Sequence, residues 1–192
     1  NDNDINRLVN EVGLPLNFEM AATKEMLDIA SLYKPHAACI VPENRQEITT
    51  EGGLDVVGQS DRLRKICDEL SSIGSRVSLF IEADEAQITA AAELGVPVIE
   101  IHAGAYSDSN PEDRPAELEK IKTGIKIASN IGLECHVGHG LNYQNVSKIA
   151  EVGEVAEVNI GHFLIAEAIF SGLGNSIKKM RELIDNARVQ QE

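Results

Sequence analysis

The chain lacks tryptophan and contains only three tyrosines and four phenylalanines, so aromatic residues make up 4% of its 192 residues. An aromatic platform that stacks on nucleotide bases or sugars is therefore not expected. Basic residues are also scarce, because 17 lysines and arginines stand against 31 aspartates and glutamates and give a net charge of −14. Since binding to nucleic acid needs a basic face, this balance argues against a nucleic-acid partner.

Cysteines and long apolar runs are few as well. Cys39, Cys67 and Cys135 are widely spaced and odd in number, which excludes a disulfide framework and a zinc knuckle, and we expect all three to be buried. No apolar run approaches the roughly 20 residues that cross a bilayer. The N-terminus is acidic and polar, unlike a signal peptide. These features predict a cytoplasmic protein without a membrane segment.

Short apolar runs alternate with helical patterns along the chain. The apolar runs predict six strands, over residues 14–18, 37–41, 77–81, 96–101, 133–137 and 155–160. The helical patterns predict helices over residues 5–12, 24–32, 59–73, 84–94, 115–131, 146–150 and 163–187, the last broken near Gly172 and Gly174. A stretch rich in turn formers, 106–115, predicts a surface loop. No linker or repeat divides the chain, so we expect a single domain over residues 1–192.

Strand–helix alternation is typical of an α/β protein with parallel strands. Two architectures remain open at this point. An open, doubly wound sheet accommodates six strands, whereas a closed (β/α)₈ barrel needs eight and typically about 250 residues. The strand count alone favours the open sheet.

Polar residues gather near the carboxyl ends of the predicted strands, where both architectures bind ligands. Alternation along the fourth strand places Glu100 and His102 on one face, opposite Ile99 and Ile101. Glu100 is either a site carboxylate or one member of a structural ion pair, and His102 is either a core histidine or a site residue. Glu19 ends the first apolar run and is a candidate of the same kind. His136 lies near the end of the fifth apolar run, and His139 follows that run.

Two glycine-containing turns are candidate phosphate sites. Gly140 follows His139 directly, and Gly161 precedes His162. Glycines permit positive φ and close approach of the backbone, and N–H groups at a helix start can hold phosphate. The alternative is a plain strand-to-helix turn with an exposed histidine. In the polar segment 42–53, Arg45, Thr49 and Thr50 could bind an oxyanion, or the segment is a solvated loop. The spacing of histidines and glutamates matches no zinc template, so no metal is expected.

Five segments occur in an order and spacing that resemble the pyridoxine 5′-phosphate synthase family. They are 17–21 (NFEMA), 41–55, 100–102 (EIH), 137–142 (VGHGLN) and 159–162 (NIGH). The resemblance implies a (β/α)₈ TIM barrel of which this chain contains six strands. It also implies condensation of 1-deoxy-D-xylulose 5-phosphate with 3-amino-2-oxopropyl phosphate, with release of inorganic phosphate and water and without a cofactor.

The resemblance also assigns roles. Glu19 is similar to the general base of the family, Glu100 to the carboxylate that stabilises the transition state, and His139 to the proton donor. Thr49 resembles the residue that contacts the deoxyxylulose phosphate. The positions that bind the aminoacetone phosphate correspond to Gly140, Gly161 and His162. The family further implies a homo-oligomer, up to an octamer.

The sequence departs from the family in lacking the Asn-Ile-Asp-His and His-Leu-Arg-Glu-Asp segments of the first two strands. We therefore expect a truncated version of a longer protein, of weak stability and little activity if the chain is complete. Two alternatives to the synthase stay open. One is a catalytically silent subunit that binds phosphate ligands, and the other is an unrelated barrel enzyme that isomerises sugar phosphates.

Overall fold

The computed structural model of the chain describes residues 2–43 and 52–189. Its six strands are β1 (Asn17–Ala21), β2 (Ala37–Val41), β3 (Arg76–Ile81), β4 (Val98–His102), β5 (Glu134–Gly138) and β6 (Val155–Asn159). All neighbouring pairs are parallel, and the strands follow one another in the sheet in chain order. The predicted parallel α/β architecture is confirmed.

Helices connect the strands. In the described residues they are α1 (Asp2–Glu11), α2 (Lys24–Tyr33), α3 (Ser60–Ser72), α4 (Glu85–Glu93), α5 (Gly104–Asp108), α6 (Arg114–Asn130), α7 (Val146–Ala150), α8 (His162–Ser171) and α9 (Leu173–Val189). In these same residues, none is both long and apolar enough to span a membrane.

Local capping explains why several helices begin and end as predicted. Thr23 Oγ1 accepts a hydrogen bond from the Met26 N–H and starts α2, and Asp84 accepts from the first N–H groups of α4. The C-terminal helical pattern breaks at Gly172, which has a φ of 81° and separates α8 from α9. A positive φ is open to glycine at little cost, so the break lies where the sequence placed it.

The bounds of most elements differ from the prediction by one to three residues, and two differences have a clear physical cause. β1 begins at Asn17 rather than at Leu14, whose side chain is 75% exposed, because pairing with β2 begins at Asn17 opposite Ala37. The predicted loop 106–115 overlaps the short helix α5. Tyr106 in this helix is buried, and its hydroxyl donates to the Asn145 carbonyl at 2.8 Å. This contact holds α5 in place, although its turn-forming residues predict a loop.

The apolar core lies between the sheet and the helices. Strand residues that point toward the helices include Met20, Ile40, Leu79, Ile99 and Val137, and all are at most 1% exposed. Burying each such side chain contributes roughly 1.5–3 kcal/mol. The three cysteines are buried and free, as expected.

The opposite face of the sheet is polar and strongly curved. Neighbouring strands lie about 4.8 Å apart, so strands two positions apart in a flat sheet are separated by about 10 Å. Yet Cys39 Sγ on β2 and Asn159 Nδ2 on β6 lie 3.7 Å and 2.7 Å from Oε2 of Glu100 on β4. The sheet therefore curls around this carboxyl as a partial barrel. Within the described residues, β1 and β6 each pair on one side only.

Candidate active site

The concave face of the sheet opens into a cavity of about 900 Å³ at the carboxyl ends of the strands. Six of the residues predicted for the site line this cavity: Glu19, Glu100, His139, Gly140, Gly161 and His162. Thr49, Thr50 and Arg45 lie outside the described residues. The strands and the turns that follow them thus bring together residues that are up to 143 positions apart in the chain.

Glu100 forms the buried floor of the site. Its side chain is in the middle of β4, and the residue is only 3% exposed. Asn159 Nδ2 donates to Oε2, and Cys39 Sγ approaches the same oxygen. Burial, followed by the negative charge of Glu19, raises the pKa of Glu100 to about 7. Near neutral pH this carboxyl can therefore either give or take a proton.

Glu19 is an exposed residue on β1, directly opposite Cys39 in the register. Its carboxylate acts on Glu100 through space and raises the pKa of the deeper group. Glu19 is exposed whereas Glu100 is buried, so the two carboxyl groups are placed for different roles in proton transfer. This is the division that paired acid and base roles require.

His139 occupies an exposed turn directly after β5. Its φ of 72° lies in the left-handed region, between Gly138 and a second positive φ, of 79°, at Gly140. A histidine in this conformation stores a modest backbone strain, which is typical of functional turns. The turn directs the imidazole over the cavity, where its ring centroid lies 6.2 Å from that of Phe80.

His102 lies behind His139, with the two ring centroids 4.9 Å apart in an edge-to-face arrangement. His102 Nδ1 is 2.8 Å from Oε1 of Glu82, which also accepts the Gly53 N–H at 2.9 Å. Partial burial pushes the pKa of Glu82 up, but these two hydrogen bonds outweigh burial and lower it overall. Of the two interpretations of His102, the structure favours a buried, hydrogen-bonded histidine that supports the site from behind.

Gly161 and His162 form the start of α8. Gly161 is the N-cap, and no side chain caps this end of the helix. The first N–H groups of a helix have no partner within it, and the helix dipole adds positive potential there. Because both residues line the cavity, this end of α8 suits a phosphate group.

His136, expected among the strand-end residues, does not line the cavity. It lies within β5, and its Nε2 is 2.8 Å from Glu134 Oε1, which Arg76 also contacts at 2.7 Å. These two hydrogen bonds, that from Arg76 first, lower the pKa of Glu134 to about 2. Since Arg76 and Glu134 begin their strands, this cluster stabilises the opposite end of the barrel wall.

Asn159, Cys39 and Glu82 also surround the site, although no role could be assigned to them from the sequence. Asn159 was part of a recognised segment, and its spacing of two from Glu157 would have placed both on one face of β6. Glu82 directly follows the third predicted strand and is one of the polar residues at the strand ends. For Cys39 no sequence signal existed, because its importance comes from a partner on another strand. In residues 2–43 and 52–189, no group of three or more histidine, cysteine, aspartate or glutamate side chains is arranged to hold a metal ion.

Comparison with known proteins is decisive about the family. Residues 1–186 match the family described as "Pyridoxal phosphate biosynthesis protein PdxJ". The chain belongs to this family. Among curated members, a pyridoxine 5′-phosphate synthase from Zymomonas mobilis is 56% identical over 189 residues, covering 98% of this chain and 74% of the relative. Another, from a Caulobacter species, is 54% identical over 182 residues, covering 93% and 72%.

Solved structures agree on the fold of this PdxJ family member. An HpcH/HpaI aldolase from Desulfitobacterium hafniense superposes with a TM-score of 0.57 at 11% identity, over 91% of this chain and 73% of the aldolase. A xylose isomerase domain protein from Planctomyces limnophilus superposes with a TM-score of 0.52 at 17% identity, over 88% and 70%. At such identities the likeness shows the α/β fold alone.

Proposed function

We propose that the chain acts as a pyridoxine 5′-phosphate synthase, joining 1-deoxy-D-xylulose 5-phosphate and 3-amino-2-oxopropyl phosphate with loss of phosphate and water. The observation that carries the proposal is the convergence of Glu19, Glu100 and His139 on one cavity. Closing a pyridine ring requires imine formation, dehydration and several proton transfers. Groups that hold and release protons near neutral pH supply these steps.

The surroundings of the three side chains suit them to different catalytic roles. The exposed Glu19 carboxylate takes a proton from the substrate as the general base. Glu100, with a pKa near 7, stabilises positive charge when ionised and returns a proton when neutral. His139 protonates the departing oxygen. All three face the same space, so a proton passes between them without a large movement of the substrate.

The glycine turns hold one of the two substrate phosphates. Gly161 and His162, at the start of α8, and Gly140, in the turn after β5, bind the aminoacetone phosphate through backbone N–H groups. Thr49 contacts the deoxyxylulose phosphate in this proposal. No organic cofactor takes part.

For the fold, we propose that the six strands belong to one domain built as an eight-stranded barrel. Two observations support this: the curl of the sheet around Glu100 and the 74% share of the Zymomonas relative that the chain covers. Further strands along β1 and β6 would cover the edges of the sheet, which natural sheets protect.

We also propose that copies of the chain assemble with one another in the cytoplasm. Ile169 and Phe170 on α8 are 81% and 88% exposed, and apolar residues grouped on a surface are typical of interfaces. Sedimentation velocity on the purified protein should give a species well above the 20.8 kDa of one chain. A single species of one chain at micromolar concentration would contradict the assembly.

The test of the synthase is a phosphate-release assay on the purified protein with both substrates, and with each alone. Release that needs both substrates supports the proposal. Conversion of one sugar phosphate alone, without release of inorganic phosphate, would favour the isomerase. Glu19→Gln, Glu100→Gln and His139→Asn should each lower the rate by about 10²–10⁴-fold. Glu112→Gln, at an exposed position outside the cavity, is the matched control. Binding without release, measured by calorimetry, would instead identify a silent binding subunit.

A further inference from the structure

Asn159 is placed to control the Glu100 carboxyl. It is the last residue of β6, it lines the cavity, and its Nδ2 lies 2.7 Å from Glu100 Oε2. That distance is typical of a charge-assisted hydrogen bond, the stronger class. The same oxygen lies 3.7 Å from Cys39 Sγ, so two donors, from strands on opposite sides of β4, meet on it.

Burial keeps the second donor in place. The pKa of the Cys39 thiol is raised well above its usual value by burial and by the charge of Glu100, so the sulfur keeps its hydrogen. With two donors directed at Oε2, a proton on that oxygen would collide with their hydrogens. A neutral Glu100 therefore carries its proton on Oε1.

The space for Oε1 comes from Gly138. A Cβ at position 138 would lie 1.9 Å from Glu100 Oε1 and 3.2 Å from the Asn159 Cβ. The three residues come from three neighbouring strands: β4, β5 and β6. They form a notch that holds Oε1 and that a side chain at position 138 would fill.

We propose that Asn159 is a positioning residue for Glu100, whose Oε2 it holds so that Oε1 is the oxygen that exchanges a proton during the reaction. The part that concerns the reaction rests on the proposed synthase function. Asn159 itself moves no proton, since an amide neither gains nor loses one near neutral pH. Its effect is to fix the carboxyl and to favour the ionised form.

The charged and titratable groups around Glu100 set the direction of the expected change. Glu19 on β1 and Glu157 on β6 raise its pKa, as does burial, while the hydrogen bonds from Asn159 and Cys39 lower it. His136 on β5 is opposite Glu100 in the register and is held by Glu134. Loss of the Asn159 donor therefore raises the pKa of Glu100 further.

The experiment titrates Glu100 directly, by carbon NMR of protein labelled at the glutamate carboxyl carbons, with Glu100→Gln assigning the resonance. In Asn159→Leu, which has a similar branched shape but loses the donor, the midpoint should rise by about one pH unit. In Asn159→Asp, which keeps the shape and adds a negative charge, it should rise further. Asn130→Leu, at an exposed site at the end of α6, should leave it unchanged.

The pH dependence of kcat/KM supplies a second readout on the same variants. Its limb due to Glu100 should move toward higher pH together with the NMR midpoint. An unchanged midpoint in folded Asn159→Leu or Asn159→Asp protein would overturn the inference. If the midpoint moves but the wild-type protein converts no substrate, the positioning role stands and the synthase proposal fails.

Discussion

At the scale of single residues, the Glu100 carboxyl sets the pH range in which the floor of the cavity changes charge. Its pKa of about 7 lies well above the ordinary value of 4.5, because the group is buried and faces Glu19. Between these two pH values the native protein holds a proton that the unfolded chain has released. The stability contributed by this group is therefore present at low pH and is lost as the pH rises toward 7.

Glu100→Gln should remove this contribution to the pH dependence of stability. The amide cannot ionise, so the variant should gain stability relative to the wild type between pH 5 and pH 8, by up to about 3 kcal/mol. Urea unfolding at the two pH values measures the difference. Glu134, with a pKa of about 2, contributes stability that is lost only below pH 4.5 and does not interfere. If the free energy of unfolding changed with pH in the same way in Glu100→Gln and in the control Glu112→Gln, Glu100 would not be the group with the raised pKa.

Gly138→Ala should damage both the site and the fold. The added methyl group would overlap Glu100 Oε1, so the carboxyl must leave its notch. We expect a destabilisation of about 1–3 kcal/mol and a fall in kcat of at least tenfold. Gly13→Ala is the matched control, because a Cβ there meets nothing within 4 Å. Equal activity and stability of the two variants would show that the notch does not constrain Glu100.

Some of these residue-level features followed from the sequence and some did not. Period-two alternation placed Glu100 and His102 on one face, and both are indeed buried there. The approach of Cys39 and Asn159 to Glu100 could not be predicted, because it depends on the curl of the sheet across two strands on each side. Long-range curvature leaves no periodic signature in a single strand.

At the scale of elements, the junction between α8 and α9 shows how a glycine ends a helix. Gly172 adopts a φ of 81°, whereas Gly174, two residues later, lies in the first turn of α9 with open space around it. Gly172 has a left-handed backbone conformation, whereas Gly174 has a helical one. An alanine is strained at the first and suited to the second.

The paired substitutions should therefore change stability in opposite directions. Gly172→Ala should lower the free energy of unfolding by about 1–2 kcal/mol, and Gly174→Ala should raise it by about 0.4–1 kcal/mol. Chemical unfolding of both variants measures this. A loss of stability in Gly174→Ala of the same size as in Gly172→Ala would mean that the junction needs general flexibility rather than one left-handed residue.

Most helices and strands could be predicted because their ends carry local signals, such as Thr23 and Asp84. The short helix α5 could not. Its sequence, Gly-Ala-Tyr-Ser-Asp, has no apolar period, and the buried Tyr106 hydroxyl bound to Asn145 holds it in place. Tertiary contacts therefore stabilise this helix although its local sequence does not favour one.

At the scale of the whole molecule, the net charge of −14 repels the doubly anionic phosphorylated substrates and slows their binding. Among the described residues that line the cavity, none is a lysine or an arginine. Raising the ionic strength from about 10 mM to 150 mM shortens the screening length from about 30 Å to about 8 Å. Because salt screens the repulsion between protein and substrate, the higher ionic strength should increase kcat/KM several-fold while kcat stays constant. A decrease in kcat/KM with salt would show that a local positive potential outweighs the global charge.

The order of the strands has a consequence for how the chain is made. Each strand pairs with the one that follows it in sequence, and the helix between them packs on at least one strand of that pair. As the chain leaves the ribosome at about 5–20 residues per second, every new strand meets a partner that has already emerged. The sheet can thus grow in the direction of synthesis, while its catalytic floor forms only when β6 brings Asn159 to Glu100.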